Sequence, residues 1–139
     1  MDVSCHSFIR MAKLAAPLMK DGGALLTVSF YGADRVVENY NLMGPVKAAL
    51  ESSVRYLAAD LADRRIRANT ISAGAIRTRA ASGIGRFDKL LDKVRERTPA
   101  QRLVGIDDVG RVAAFLASEA GSSLSGSVVY ADGGFHTIA

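Results

Sequence analysis

The sequence predicts an α/β fold in which three parallel strands alternate with flanking helices. Segments with helical periodicity and short apolar runs follow one another in the order helix, strand, helix, strand, two helices, strand. This alternation calls for a parallel sheet with right-handed crossovers. The 139 residues, of which 49% are apolar and 23% charged, have an ordinary globular composition. We therefore expect residues 1–139 to form a single domain.

The composition also limits the classes of function. The formal charge is +4 and the Lys and Arg residues are scattered, which gives no indication of nucleic-acid binding but fits weak attraction to an acidic protein. A single cysteine, Cys5, excludes an internal disulfide and fits a reducing compartment. No apolar run is long enough to cross a membrane, and the first residues lack a signal-peptide pattern. We expect a soluble cytoplasmic protein without a membrane partner.

The first helix and the first strand are predicted from the apolar pattern. Residues 3–20 carry apolar side chains on most sides, which predicts a helix buried on more than one face. Gly22 and Gly23 end that segment. The continuous apolar run at residues 24–29 favours a parallel strand covered on both sides, and a loop of about residues 31–38 follows it.

A long amphipathic helix is predicted over residues 39–63. Its apolar stripe is formed by Met43, Val46, Leu50, Val54, Leu57 and Leu61. Another face carries the small residues Ala48, Ser52 and Ala59. They would permit a helix-to-helix subunit contact, or they are simply good helix formers on an exposed face, and both interpretations remain open.

Tyr40 and Lys47 lie on the edge of that stripe, where a cleft would be. Seven residues apart, they fall nearly on one line of a helix, and the Lys47 ammonium would reach back toward the Tyr40 phenol. A phenol can donate a proton to an oxygen that gains negative charge, and an ammonium can bind the hydroxyls of a ligand. The alternative is a packed ring beside a solvated amine, which is common at this spacing.

The remaining elements follow in the second half of the chain. Residues 66–72 and 127–131 are predicted strands, and residues 86–97 and 106–118 are predicted helices. Asp107 or Asp108 is available as a cap near the start of the last helix. Ligands of open parallel sheets bind beyond the carboxyl ends of the strands, where Phe30 and the loop after residue 75 would lie. His6 and His136 have no metal-like spacing, so no metal site is expected.

Several short motifs resemble those of one enzyme family. They are Ser-Phe-Tyr-Gly-Ala at 29–33, Asn-Tyr-Asn at 39–41, Met-Gly at 43–44, Lys-Ala at 47–48 and the run at 72–84. Together they resemble the enoyl-acyl-carrier-protein reductases, a branch of the short-chain dehydrogenase/reductases. Members of that family are about twice as long, and this sequence has no Gly-rich turn that would cradle a pyrophosphate. The resemblance therefore implies the C-terminal half of a Rossmann-like doubly wound parallel sheet, as a fragment of such an enzyme.

The resemblance also implies an activity and a set of site residues. The family reduces the 2,3 double bond of enoyl-acyl-carrier-protein thioesters with NADH in fatty acid biosynthesis, as a homotetramer. Tyr40 would stabilise the enolate, and Lys47 would hold the nicotinamide ribose. Further cofactor-binding residues would be Ile76, Arg77, Thr78, Arg79 and Ala80. Residues 73–98 would form a substrate-loop and lid region. The substrate would contact residues of this region and of the preceding elements, namely Phe30, Tyr40, Met43, Ala80, Ala81, Ile84 and Phe87.

Two positions depart from the family pattern, and two other functions are considered. Phe30 stands where the family usually has a tyrosine, so a hydroxyl is lost, and Ala75 stands where proline is common. Carbonyl-reducing members of the superfamily place lysine four residues after the tyrosine, where this sequence has Gly44, which argues against that activity. The other alternative is a non-catalytic fragment that acts as an oligomerisation module through the helices at 3–20 and 39–63.

Overall fold

Within the described residues the sheet has three parallel strands, as the sequence predicts. The computed structural model describes residues 1–76, 78 and 87–139, except for the side chain of Phe87. Strand β1 is Gly23–Phe30, β2 is Ile66–Ala73 and β3 is Val128–Ala131. Their order is β1-β2-β3, with Ser29 beside Ser72 and Ser72 beside Tyr130. In the described part of the chain, β1 is therefore an edge strand whose carboxyl end is level with that of β2.

The described residues contain four α-helices, namely α1 (Ser7–Ala15), α2 (Met43–Asp60), α3 (Phe87–Arg97) and α4 (Ile106–Ala117). Helices α1 and α2 cover one face of the sheet, and α4 covers the other. Leu25 of β1 and Ile66 of β2 pack in one core with residues of α1 and α2. Ile71 of β2 packs on the opposite face with Leu116 of α4. Both faces of the sheet are thus covered, which confirms the α/β architecture predicted from the apolar runs.

Helix α1 is shorter and less buried than predicted. A π-helical turn, Asp2–His6, precedes it, and a 3-10 turn, Ala16–Leu18, follows it. Phe8 and Ala12 are buried, whereas Met11 and Leu14 are 50% and 72% exposed. The prediction of burial on more than one face is therefore wrong for this structure, because only one face of α1 packs on the core.

Helix α2 begins later than predicted. It starts at Met43, so Tyr40 lies in the turn before the helix and Lys47 lies within it. The prediction that Tyr40 and Lys47 fall on one line of a helix is therefore wrong. The predicted apolar stripe is confirmed, because Val46 and Leu50 are buried and pack in the core of the α1 and α2 face.

The backbone of the turn explains the later start. Asn39 and Asn41 have φ of 63° and 48°, in the left-handed region that an α-helix does not include. Pro45 is the third residue of α2, where its missing N–H would have had no helical partner. In a helix that began at Asn39, the proline ring would strike the carbonyl group of Asn41.

Helix α4 is capped as the sequence predicts. Asp108 Oδ2 accepts a hydrogen bond from the backbone N–H of Gly105 at 2.9 Å, and Arg102 and Arg111 also donate to this carboxylate. These donors hold the pKa of Asp108 well below its usual range.

No helix in the described residues is both long and apolar enough to span a membrane.

Candidate active site

Tyr40 lies in an aromatic cluster at the carboxyl end of β1. Its side chain is 9% exposed, and its ring centroid is 5.1 Å from that of Phe30 in an edge-to-face arrangement. The Phe30 ring in turn lies 4.5 Å from the Tyr31 ring, which lies 5.2 Å from the Phe135 ring. Burial raises the pKa of the Tyr40 phenol. The hydroxyl therefore stays protonated at neutral pH and remains able to donate a hydrogen bond.

A glycine makes room for the Tyr40 ring. A Cβ atom at Gly32 would lie 2.7 Å from Cδ1 of Tyr40 and 2.8 Å from Cε1. Gly32 is in a 3-10 turn, Tyr31–Ala33, that directly follows β1. The ring can occupy this place because residue 32 has no side chain.

A second glycine excludes the alternative position for a catalytic lysine. A Cβ atom at Gly44 would lie 2.9 Å from the carbonyl oxygen of Gly32, closer than real Cβ atoms come to another atom. The first turn of α2 and the turn after β1 therefore touch through their backbones. No lysine fits at residue 44 in this arrangement, which gives a steric reason against the carbonyl-reducing alternative.

Lys47 contacts the backbone of the edge strand. Its Nζ donates a hydrogen bond to the carbonyl oxygen of Val28 at 2.8 Å. Burial lowers the pKa of Lys47, and the nearby charge of Glu51 opposes that shift. An ammonium carries three N–H donors, so donors remain for the hydroxyl groups of a ligand.

The helical geometry that was expected to bring the Lys47 ammonium back toward the Tyr40 phenol is not present. Tyr40 lies outside α2, and the Lys47 ammonium donates to the carbonyl oxygen of Val28. The cause is the turn before α2, which takes Tyr40 off the helical line. Both side chains nevertheless lie near the carboxyl end of β1.

The other predicted site residues divide into four groups. Phe30 and Met43 pack against the cluster that contains Tyr40, and Ala75 is buried in it. Ile76 is half-buried and Thr78 is exposed, just after β2. Phe87 is the first residue of α3. Arg77, Arg79, Ala80, Ala81 and Ile84 lie outside the described residues.

A cavity of about 240 Å³ adjoins the aromatic cluster, with Tyr31 and Phe135 in its wall. Its basic lining residues are Arg35, Lys89, Lys93 and Arg97. Arg35 and Arg97 donate to the backbone carbonyls of Ala139 and Ile138. Lys89 and Lys93 are exposed one turn apart on α3. A second cavity, of about 260 Å³, includes Ala75 and Ile76 in its lining.

Sequence reasoning missed Glu51. Its Oε1 accepts a hydrogen bond from Ser29 Oγ at 2.5 Å, and its charge acts on Lys47. The signal was available, since Glu51 is four residues after Lys47 and residues at that spacing share one face of a helix.

Comparison with known proteins shows what this chain is similar to. The family model described as "Enoyl-(Acyl carrier protein) reductase" matches residues 1–136. The chain is 49% identical over 138 residues to enoyl-[acyl-carrier-protein] reductase [NADH] 1 of Rhizobium meliloti, covering 99% of this chain and 51% of that protein. It is equally 49% identical over 138 residues to the reductase FabI of Escherichia coli, covering 99% and 53%.

Two solved structures share the fold. The Bacillus cereus enoyl-acyl carrier protein reductase was solved with NADP+ and indole naphthyridinone, and it is 43% identical to this chain with a TM-score of 0.95. The match covers 98% of this chain and 53% of that one. The Anaplasma phagocytophilum reductase, solved with NAD, is 44% identical with a TM-score of 0.90, covering 98% of this chain and 50% of that one. The chain thus spans about half the length of the curated relatives it matches.

Proposed function

Because this chain belongs to the enoyl-(acyl carrier protein) reductase family, we propose that it supplies the catalytic and substrate-contacting half of an NADH-dependent enoyl-thioester reductase of fatty acid biosynthesis. The observation that carries the proposal is the pair of polar groups at the carboxyl end of β1. A buried, protonated Tyr40 and a half-buried Lys47 lie at the sheet edge where open parallel sheets bind their ligands.

Tyr40 would act on the substrate. When a hydride adds to the β-carbon of an enoyl thioester, negative charge develops on the thioester oxygen. A phenol that burial keeps protonated can donate a hydrogen bond to that oxygen, and in an apolar setting such a bond stabilises the transition state strongly. Phe30 and Met43 pack against the Tyr40 cluster and would exclude water from the reacting thioester.

Lys47 would hold the cofactor. The residues fit this group, because the Lys47 ammonium retains N–H donors beyond its bond to Val28 and lies against the edge strand. When bound, reduced nicotinamide supplies the hydride. The chain's own contribution would be to orient the ribose through Lys47, with Ile76 and Thr78 near it and the residues at 77, 79 and 80 as further cofactor contacts.

We propose that the acidic surface of an acyl carrier protein approaches α3. Lys89 and Lys93 are exposed on one face of this helix, beside the basic cavity next to Tyr31. Glutamate at both positions should raise the KM for a carrier-linked substrate about ten-fold or more. The KM for the same acyl group on a small uncharged thiol should stay unchanged, and an equal rise for both substrates would contradict this approach.

The function is tested by binding and turnover on one sample. NADH binding is measured by calorimetry and enoyl-thioester reduction by the loss of NADH absorbance. Both are measured on the chain alone and on the chain mixed with a separately produced nucleotide-binding half of a relative. Tyr40→Phe should lower turnover by about 100-fold or more with little effect on NADH binding. Lys47→Met should weaken NADH binding.

One observation favours a second candidate function, association through α1. Its exposed face carries Met11 and Leu14, and Leu18 just beyond it is 80% exposed. A contiguous apolar face of this kind marks an interaction surface. Under this alternative the chain would form a stable oligomer without binding NADH, and Leu14→Lys would dissociate it in analytical ultracentrifugation. A monomer at all concentrations would exclude the alternative.

A further inference from the structure

Two polar contacts join α2 to consecutive residues of β1. Lys47 donates to the carbonyl oxygen of Val28 at 2.8 Å, and the next residue, Ser29, donates to Glu51 Oε1 at 2.5 Å. Ser29 is only 3% exposed, so its hydroxyl has a fixed environment. A cation and an anion of the same helix are thus held against the same end of the same strand.

Helix stability does not account for this pair. Lysine four residues before glutamate is the less favourable order for stabilising an isolated helix. Both side chains are also half-buried, and burial disfavours the charged form of each, since it lowers the pKa of Lys47 and raises that of Glu51. Two charges that are costly to keep in this place point to a role in the site.

We propose that Glu51 is a positioning residue: held by Ser29, its carboxylate keeps the Lys47 ammonium charged and directed to the end of β1, where a cofactor ribose would bind. This inference rests on the proposed function, because it assigns the positioning to the Lys47 site. It adds a residue that acts through Lys47 and does not itself touch the ligand.

The electrostatic environment supports an effect of Glu51 on Lys47. The carboxylate of Glu51 favours the charged form of Lys47 and thereby opposes the effect of burial. Other titratable groups face the pair from several elements. They are Cys5, which lies near Lys47, and Asp34, Arg55 and Tyr130, which interact with Glu51. Glu51 is the main charge that favours ionised Lys47, so its removal should lower the pKa of Lys47.

The test measures the titration of Lys47 itself and needs no cofactor. Lysine labelled with ¹³C at Cε is followed by NMR against pH, and the Lys47 signal is assigned by its loss in Lys47→Met. Glu51→Gln keeps the size and an oxygen that can accept from Ser29, but removes the charge. We expect a lower pKa for Lys47 in this variant. Loss of an opposite charge about 6 Å away, even at the dielectric constant of water, should speed acetylation of Lys47 at pH 8 about three-fold.

Two further variants make the test specific. Asp60→Asn removes a carboxylate at the far end of α2, about 20 Å along the helix from Lys47, and should leave the Lys47 titration unchanged. Ser29→Ala keeps the Glu51 charge but frees the carboxylate, so it should shift the titration in the same direction by a smaller amount. Circular dichroism verifies that each variant is folded.

The outcomes separate this inference from the proposed function. A Lys47 titration and acetylation rate in Glu51→Gln equal to those of the unmodified chain would overturn the positioning role. A loss of stability without any change at Lys47 would likewise overturn it, because it would show a purely structural contact. A shifted Lys47 titration in a chain that binds no NADH even when mixed with the nucleotide-binding half of a relative would support the effect of Glu51 while contradicting the proposed function.

Discussion

Replacement of Gly32 by alanine should displace the Tyr40 ring. The added Cβ would lie 2.7 Å from Tyr40 Cδ1 and 3.3 Å from Val37 Cγ2, while ordinary contact begins near 3.4 Å. The ring would therefore have to move by about 0.7 Å, the difference between 3.4 and 2.7 Å. The Phe30 ring on its edge limits that movement. Overpacking of this kind costs about 1–3 kcal/mol.

The assay is urea unfolding followed by circular dichroism. For a loss of about 2 kcal/mol and an m value of about 2 kcal/mol/M, the midpoint should fall by about 1 M. Gly110→Ala is the matched control, because a Cβ at Gly110 in α4 meets no atom within 4 Å. That control should stabilise the protein by about 0.5–1 kcal/mol, the usual gain of alanine over glycine inside a helix.

A double variant decides whether Tyr40 is the cause. In a Tyr40→Ala background the new methyl group would enter the space that the ring has left. Gly32→Ala should then cost less than about 0.5 kcal/mol, because the residue it strikes is gone. Equal losses in the two backgrounds, or an unchanged midpoint in the single variant, would refute the packing described for Tyr40.

Three other predictions follow from contacts in the structure. Burial raises the pKa of Glu51 above its usual 4.5, so the stability of the unmodified chain relative to Glu51→Gln should be greatest below pH 4.5. That difference in stability should fall as the pH rises through the folded-state pKa. Urea unfolding at pH 4 and pH 7 measures the difference, and the opposite slope would contradict the prediction. Phe30→Tyr should restore a hydroxyl beside Tyr40 and raise turnover of the assembled enzyme about three- to ten-fold with little change in stability, and an unchanged rate would exclude a role for that hydroxyl. Asp108→Asn should lower the thermal midpoint at pH 7 and by a smaller amount at pH 3, because the depressed pKa of Asp108 provides stability that is fully present above its usual pKa and is lost progressively as the pH falls toward the depressed value; equal effects at both pH values would contradict the capping account.

The strands were the most predictable part of the fold. β1 is predicted at residues 24–29 and found at Gly23–Phe30, because a short, mostly apolar run after a turn favours a buried parallel strand. The start of α2 was not predicted correctly, because apolar periodicity continues through the turn at residues 39–42. Pro45 carried the necessary information, since a proline is tolerated in the first turn of a helix and not in its interior.

The candidate site was predictable as a set of residues and not as a geometry. The motifs around Tyr40 and Lys47 identify the family, and residues 1–136 match its model. The partner of Lys47 is the backbone carbonyl of Val28, and a backbone carbonyl leaves no mark in a sequence. The packing of Gly32 against Tyr40 likewise depends on how two turns approach each other in three dimensions.

The reduction assay tests the central claim most directly. A short enoyl thioester and NADH are supplied to the chain together with a separately produced nucleotide-binding half of a relative, and NADH oxidation is followed for the unmodified chain and for Tyr40→Phe. The account predicts turnover with the unmodified chain and a loss of about 100-fold or more in the variant, with NADH binding retained. A folded complex that binds NADH and gives no turnover, or turnover that is the same in Tyr40→Phe, would contradict the assignment of Tyr40 as the residue that stabilises the enolate.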